Sequence, residues 1–250
     1  NAINDGGLVA GKCDSTLPGK RSAVIWQGGQ ARKVPFGGGD AVSNSAALAV
    51  NAQGEVAGTY REPQGTTTLD QAFTWDSRTA TGMARTIMSL PADKGGSGRG
   101  AAINAQGYIA GNAMQNAAPD AHQPWLWSPT IAEPADAINA VGSLPGASAR
   151  SGEARGMNDL PNVVGVYDGR GFLWTPRVPG ATTGSNMPLP IDPYDINNRG
   201  QVVGVSQGKA KMYDVAANTV TDLGSLPEVS AAGWRALSMA RAINDKGQIV

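Results

Sequence analysis

The stretch INNRGQVVG, residues 196–204, decides the fold, because five other segments of the 250-residue chain repeat it. The other copies run over residues 3–11, 50–58, 103–111 and 157–165, and over 243–250, where the last position is missing. Their asparagines, Asn4, Asn51, Asn104, Asn158, Asn197 and Asn244, are separated by 47, 53, 54, 39 and 47 residues, a mean of 48. Asparagine followed three residues later by glycine is the chemistry of a type I turn that ends in the left-handed region. The asparagine side chain bonds backbone amides just ahead of it, and Gly7, Gly54, Gly107, Gly200 or Gly247 takes positive φ without a Cβ clash. Such a turn joins two short strands in a hairpin with a glycine bulge. In the fourth copy Pro161 replaces the glycine, and its ring cannot reach positive φ. There the expectation is a local change of turn, with Asn162 taking the left-handed place.

Two further phrases recur in the same order. The first is aromatic: Ala23-Val24-Ile25-Trp26, Ala72-Phe73-Thr74-Trp75, Pro124-Trp125-Leu126-Trp127, Gly171-Phe172-Leu173-Trp174 and, weaker, Ala210-Lys211-Met212-Tyr213. The second closes the units: Ser89-Leu90-Pro91, Ser143-Leu144-Pro145, Pro188-Leu189-Pro190 and Ser225-Leu226-Pro227, with Val34-Pro35-Phe36 in the first. Each unit therefore reads as four strands, one before the asparagine turn, one after it, an aromatic third and a fourth that proline terminates. Four short strands every 48 residues is the period of a β-propeller blade. The expected fold is all-β and propeller-like, one repeat domain over 1–250 with repeats at about 1–46, 47–99, 100–153, 154–192, 193–239 and a partial sixth at 240–250. Because residue 244 matches residue 4, the two ends cannot share one slot of a five-bladed ring, and the expectation is a fragment of a longer chain. Trp26, Trp75, Trp127 and Trp174, at one frame position, are expected to pack between units.

The phrases resemble the HAF-repeat family of extracellular bacterial repeat proteins. The residues that carry the likeness are Ala240–Val250, Gln71–Trp75 and Thr221–Pro227, which follow Ala-x-x-Ile-Asn-Asp-x-Gly-Gln-Val-Val-Gly, Ala-Phe-x-Trp and Asp-Leu-Gly-x-Leu-Pro. The resemblance implies export to the periplasm, the cell surface or beyond, and brings no catalytic residue or cofactor with it.

Composition removes several classes of function. Lys+Arg and Asp+Glu both number 20, and no basic stripe suits a nucleic acid. No apolar run reaches the length of a membrane-spanning helix, so membrane insertion is not expected. Cys13 is the single cysteine and His122 the single histidine, which leaves neither a cysteine-rich nor a histidine-rich metal site. The Asn-Asp-x-Gly turns are read as capped turns and not as calcium loops, since Asp5, Asp159 and Asp245 correspond to Ala52, Ala105 and Asn198 in the other units. No metal and no cofactor is expected.

Function then rests on residues that leave the frame. Trp125 and Trp234 are candidates for an exposed stacking surface. Tyr60 with Arg61, and Tyr167 with Arg170, sit just past the repeat glycine and are candidates to line a sugar or peptide site. The polar stretches 61–70 and 112–124 read as loops between second and third strands, and 228–240 as a linker. The first expectation is a non-catalytic exported scaffold or binding module for a surface glycan, peptide or protein. The alternatives are a secreted polysaccharide hydrolase or lyase, which needs two converging carboxylates among Glu55, Glu62, Glu133, Glu153, Asp168 and Asp195, and a surface protein that self-associates through exposed terminal strands.

Overall fold

The computed structural model describes residues 1–14, 19–37, 43–64, 67–79, 82–87, 97–115, 118–130, 138–140, 151–178, 181, 183–234 and 236–250. It is all-β, with five four-stranded antiparallel sheets, each a meander of four strands consecutive in the chain. The first sheet holds β1 (Ala2–Ile3), β2 (Val9–Asp14), β3 (Arg21–Gln27) and β4 (Gln30–Lys33). The second holds β5 (Ser43–Val50), β6 (Glu55–Gln64), β7 (Thr67–Asp76) and β8 (Arg85–Thr86). The third holds β9 (Ser97–Ile103), β10 (Ile109–Gln115), β11 (Ala118–Trp127) and β12 (Ile138–Ala140). The fourth holds β13 (Gly152–Met157), β14 (Val163–Tyr167), β15 (Arg170–Pro176) and β16 (Gly184–Pro188). The fifth holds β17 (Asp192–Ile196), β18 (Gln201–Ser206), β19 (Lys209–Asp214) and β20 (Thr219–Asp222). A bridge between Ile243 and Ile249 continues the pattern after the fifth sheet. The chain divides into two compact units, Asn1–Asn139 and Ala140–Val250.

Each asparagine turn links the first strand of a sheet to its second. In the fifth sheet the Asn197 N–H donates to the Gln201 carbonyl (3.1 Å) and the Gly200 N–H donates to the Asn197 carbonyl (3.1 Å). Gly200 sits at φ +76°, and the corresponding glycines of the other four glycine-bearing turns lie between +73° and +82°. In the fourth copy Pro161 has no N–H to give, so that second bond is lost. Asn162 does not take the left-handed place there. The Asn158 N–H donates to the Asn162 carbonyl (3.2 Å), and Asn158 Oδ1 accepts from the amides of Leu160 and Asn162, which holds the turn without a left-handed residue.

The asparagine side chains also reach beyond their own turns. Asn4 Nδ2 donates to the Asn51 carbonyl (2.9 Å), and Asn51 Nδ2 to the Asn104 carbonyl (2.9 Å). In the second unit Asn158 donates to Asn197 (3.0 Å) and Asn197 to Asn244 (3.1 Å) in the same way. Asn51, Asn104, Asn158 and Asn197 are buried. A hydrogen-bonded ladder therefore sets the register between neighbouring repeats.

The core lies between successive sheets. In the first unit, Leu8, Ile25, Val56, Phe73 and Trp75 pack as one cluster, and Ala57, Ile103, Ile109, Trp125 and Trp127 as the next. In the second, Val164, Leu173, Ile196, Val202 and Tyr213 form one cluster, and Val203, Ala210, Leu223, Ala240 and Ile243 another. Trp75, Trp127 and Trp174 are buried and Trp26 is half-buried. The arginine of one repeat's fourth strand lies over the tryptophan of the next repeat. Arg32 stands 5.1 Å from the Trp75 ring and Arg85 5.5 Å from that of Trp127.

Two loop expectations change. Residues 61–70 and 112–124 are mostly strand, because β6–β7 and β10–β11 are prolonged into long hairpins. The segment after Asp222 is a 3-10 turn (Leu223–Ser225) followed by helix α1 (Pro227–Ala231), with Pro227 at the helix start, where its missing N–H breaks no bond. The Leu-Pro phrases at 89–91 and 143–145 lie outside the described residues. Among the described residues no helix is long and apolar enough to cross a membrane.

Candidate functional site

In every sheet but the first, the first strand carries a β-bulge. The extra residue is Leu48, Ala101, Arg155 or Tyr194, each three positions before its repeat asparagine. The bulge brings the carbonyl of the fifth residue before the asparagine against the glycine that closes the phrase. A Cβ built on Gly58, Gly111, Gly165 or Gly204 would fall on the carbonyl oxygen of Ala46, Arg99, Glu153 or Asp192 respectively. Strand one and the hairpin between strands two and three are thereby pressed together, and their rims meet the neighbouring repeat.

At two such junctions the rims open into a cleft. The first unit holds one of about 370 Å³ lined by Lys12, Arg21, Asn44, Ser45, Ala46, Leu48, Thr59, Arg61, Asp70 and Arg99. The second unit holds one of about 430 Å³, whose lining includes Arg170, Pro190, Ile191, Asp192, Val205 and Gln207. The two use the same frame. Asn44, Ser45 and Ala46 stand seven, six and five residues before Asn51, as Pro190, Ile191 and Asp192 stand before Asn197. Thr59 and Val205 both lie eight residues after their asparagines. The backbone position repeats while the side chains differ.

The walls of the first cleft are held by bonds between repeats. Ser45 Oγ accepts from the Ala23 N–H (2.8 Å), and the Thr59 hydroxyl donates to the Gly98 carbonyl (3.4 Å). Arg61 pairs with Asp70 at 2.8 Å, and Arg21 with Asp14 at 3.5 Å. Lys12 and Arg99 point from β2 and β9 with no carboxylate at ion-pair distance among the described residues. In the second cleft Asp192 is held by Arg155 at 2.7 Å, which also lies 4.8 Å from the Tyr194 ring. Each cleft is lined by one carboxylate among the described residues, Asp70 or Asp192, and each is tied to an arginine.

Of the six candidate binding residues, Arg61 and Arg170 line the clefts. Trp234 is 64% exposed and lines neither. Trp125, Tyr60 and Tyr167 are corrected to core residues, since all three are buried. Trp125 pairs with Gly111 across the sheet as Phe73 pairs with Gly58 and Phe172 with Gly165, so it occupies the first aromatic position of the phrase. The likeness of Pro-Trp-Leu-Trp to Ala-Phe-Thr-Trp carried that signal. Tyr60 packs 5.0 Å from Phe36, and its hydroxyl meets Thr86 Oγ1 at 2.6 Å. Lys12, Arg21 and Arg99 were missed, because the first and third repeats supply them to a cleft that also holds Arg61 of the second. His122 is exposed on β11 and Cys13 is half-buried on β2. Glu133 and the side chain of Glu62 lie outside the described residues.

Asp195 stands apart from both clefts. Its Oδ1 accepts from the Ile196 N–H (2.9 Å) and its Oδ2 from the Ile243 N–H (3.0 Å), which fastens the fifth repeat to the hairpin that follows. Burial outweighs these two bonds and pushes its carboxyl up to about 6. The folded chain therefore holds this proton more tightly than the unfolded chain does. The stabilisation is complete below the ordinary carboxylate value near 4 and is lost as pH rises through about 6. Unfolding of the second unit in urea at pH 5 and pH 7 is expected to differ by about 1 kcal/mol from this group, with greater stability at pH 5. Asp195→Asn should flatten that difference; an unchanged slope would assign the dependence to other groups. No protein-family model matches the sequence, and no curated protein matches it at a significant level.

Proposed function

We propose that this chain is a non-catalytic binding module, exported or displayed on a cell surface, whose repeats are propeller blades of the HAF-repeat kind. Its ligand, a glycan, peptide or protein, lies in the clefts at repeat junctions. The observation that carries this reading is the recurrence of a cleft at identical frame positions with different side chains. A fixed backbone socket with exchangeable lining is how repeat proteins separate stability from specificity.

Among the described residues each cleft has one carboxylate, tied to an arginine, which supports binding over hydrolysis. Glycoside hydrolysis requires two acids about 5–10 Å apart with divergent acidity. Asp195, the described acid raised to about 6, spends both oxygens on backbone amides and lines neither cleft. Immobilised glycans and peptides screened with the intact chain test the reading. Thr59→Trp and Val205→Trp each fill one cleft from the same frame position. A ligand retained by the wild type and lost by one of these variants, with the urea unfolding midpoint close to that of the wild type, is the expected result. Retention by both variants would remove the clefts as the site.

A further inference from the structure

We infer that the first-unit cleft is a site for an anionic oligosaccharide, recognised through carboxylates on successive sugars. This rests on the binding-module reading and adds the chemistry of the ligand. Among the described residues, four cationic side chains line the cleft, Lys12, Arg21, Arg61 and Arg99, against the single carboxylate of Asp70. The whole chain is formally neutral, so this is a local excess and not a general basic character. The cations come from β2, β3, β6 and β9, strands of three successive repeats, and they converge only because the junction geometry brings them together.

Two of the four already have partners outside or inside the cleft, Asp14 for Arg21 and Asp70 for Arg61. Lys12 and Arg99 have no carboxylate within reach among the described residues, and they set the demand for an anion. A neutral ligand would take water from these charges and return hydrogen bonds to hydroxyls but no opposite charge. An arginine beside a carboxylate can form a two-point contact, and a lysine adds a point charge. Asn44, half-buried at φ +57°, adds an amide at the rim.

The lining also discriminates between ligand classes. Among the described residues its apolar members are Ala46 and Leu48, and no aromatic lines the cleft. Peptide and protein partners draw most of their affinity from buried aromatic or aliphatic anchors. A cleft without such a pocket, with charge and hydrogen-bonding groups around an open slot, suits a ligand made of hydroxyls and carboxylates.

Calorimetric titration of the intact chain with tetragalacturonic acid, neutral maltotetraose and a tetra-aspartate peptide tests this. The uronate is expected to bind, to weaken as sodium chloride rises to 0.5 M, and to lose about tenfold or more in affinity in the Lys12→Ala/Arg99→Ala double variant. Arg177→Ala, in the other unit and outside both clefts, should leave uronate binding unchanged, and all three changes lie at exposed positions where circular dichroism can confirm the fold. Equal binding of uronate and maltotetraose, tighter binding of tetra-aspartate, or uronate binding unmoved in the double variant would overturn the inference. A neutral or peptide ligand lost in Thr59→Trp but kept in the double variant overturns only the anionic assignment. A chain that binds nothing in this titration or on the arrays overturns both readings.

Discussion

Replacing Gly204 by alanine is expected to destabilise the second unit by about 3 kcal/mol or more, although alanine adds one methyl group. Gly204 closes the fifth repeat phrase and pairs with Pro193 beside the bulge at Tyr194. Its missing Cβ would coincide with the Asp192 carbonyl oxygen and stand 2.9 Å from both the Asp192 carbonyl carbon and Pro193 Cα. All three are backbone or ring-fixed atoms, so relief requires moving β17 away from β18. Gly165→Ala should behave alike, because its Cβ would meet the Glu153 carbonyl. Gly208 supplies the comparison. It sits at φ +70° with nothing within 4 Å of a Cβ, so alanine there should cost only the left-handed strain of about 1 kcal/mol. Urea denaturation followed by intrinsic fluorescence gives the ranking. A Gly204→Ala protein within 1 kcal/mol of wild type would mean that the bulge does not press the two strands together.

Asn197→Asp is the second large effect, and it separates the ladder from the turn. Aspartate is as good a turn former as asparagine, since its oxygen accepts the same backbone amides. Asn197 Oδ1 accepts from Arg199 and Gln201 (3.1 and 3.0 Å), and aspartate would keep both bonds. Nδ2, however, donates to the Asn244 carbonyl (3.1 Å) and to Gln201 Oε1 (2.8 Å). The Gln201 amide can turn its Nε2 to the new carboxylate, but the Asn244 carbonyl cannot donate, so aspartate makes that contact one between acceptors and places a charge where Asn197 is 3% exposed. A loss of about 3 kcal/mol at pH 7 is expected, partly recovered when acid protonates the new carboxyl. Asn244→Asp is the matched control. Its Nδ2 meets Gln248 Oε1 at 2.7 Å in an exposed turn, so the same change should cost under about 1 kcal/mol. Equal losses at the two positions would sink the ladder as a source of stability.

The sequence alone determined the period, the six turns, the four-strand unit and the strand that bears Trp26, Trp75, Trp127 and Trp174, because all of these are local. An asparagine oxygen reaches amides two and four residues ahead, and a glycine's freedom is its own. What ends the phrase in glycine at Gly58, Gly111, Gly165 and Gly204 was not legible, since each of these glycines answers a carbonyl on the preceding strand across a bulge. Tyr60 and Trp125 were misplaced for a related reason: whether an aromatic next to the frame faces water depends on the sheet stacked against it. The Asn51-to-Asn104 bond spans 53 residues and the Asn158-to-Asn197 bond 39, and the clefts gather side chains over comparable separations. Spacing along a chain carries no distance between such groups. Only the packing of one repeat on the next brought Lys12, Arg61 and Arg99 around one cleft, and there the tertiary structure decided what the repeats could bind.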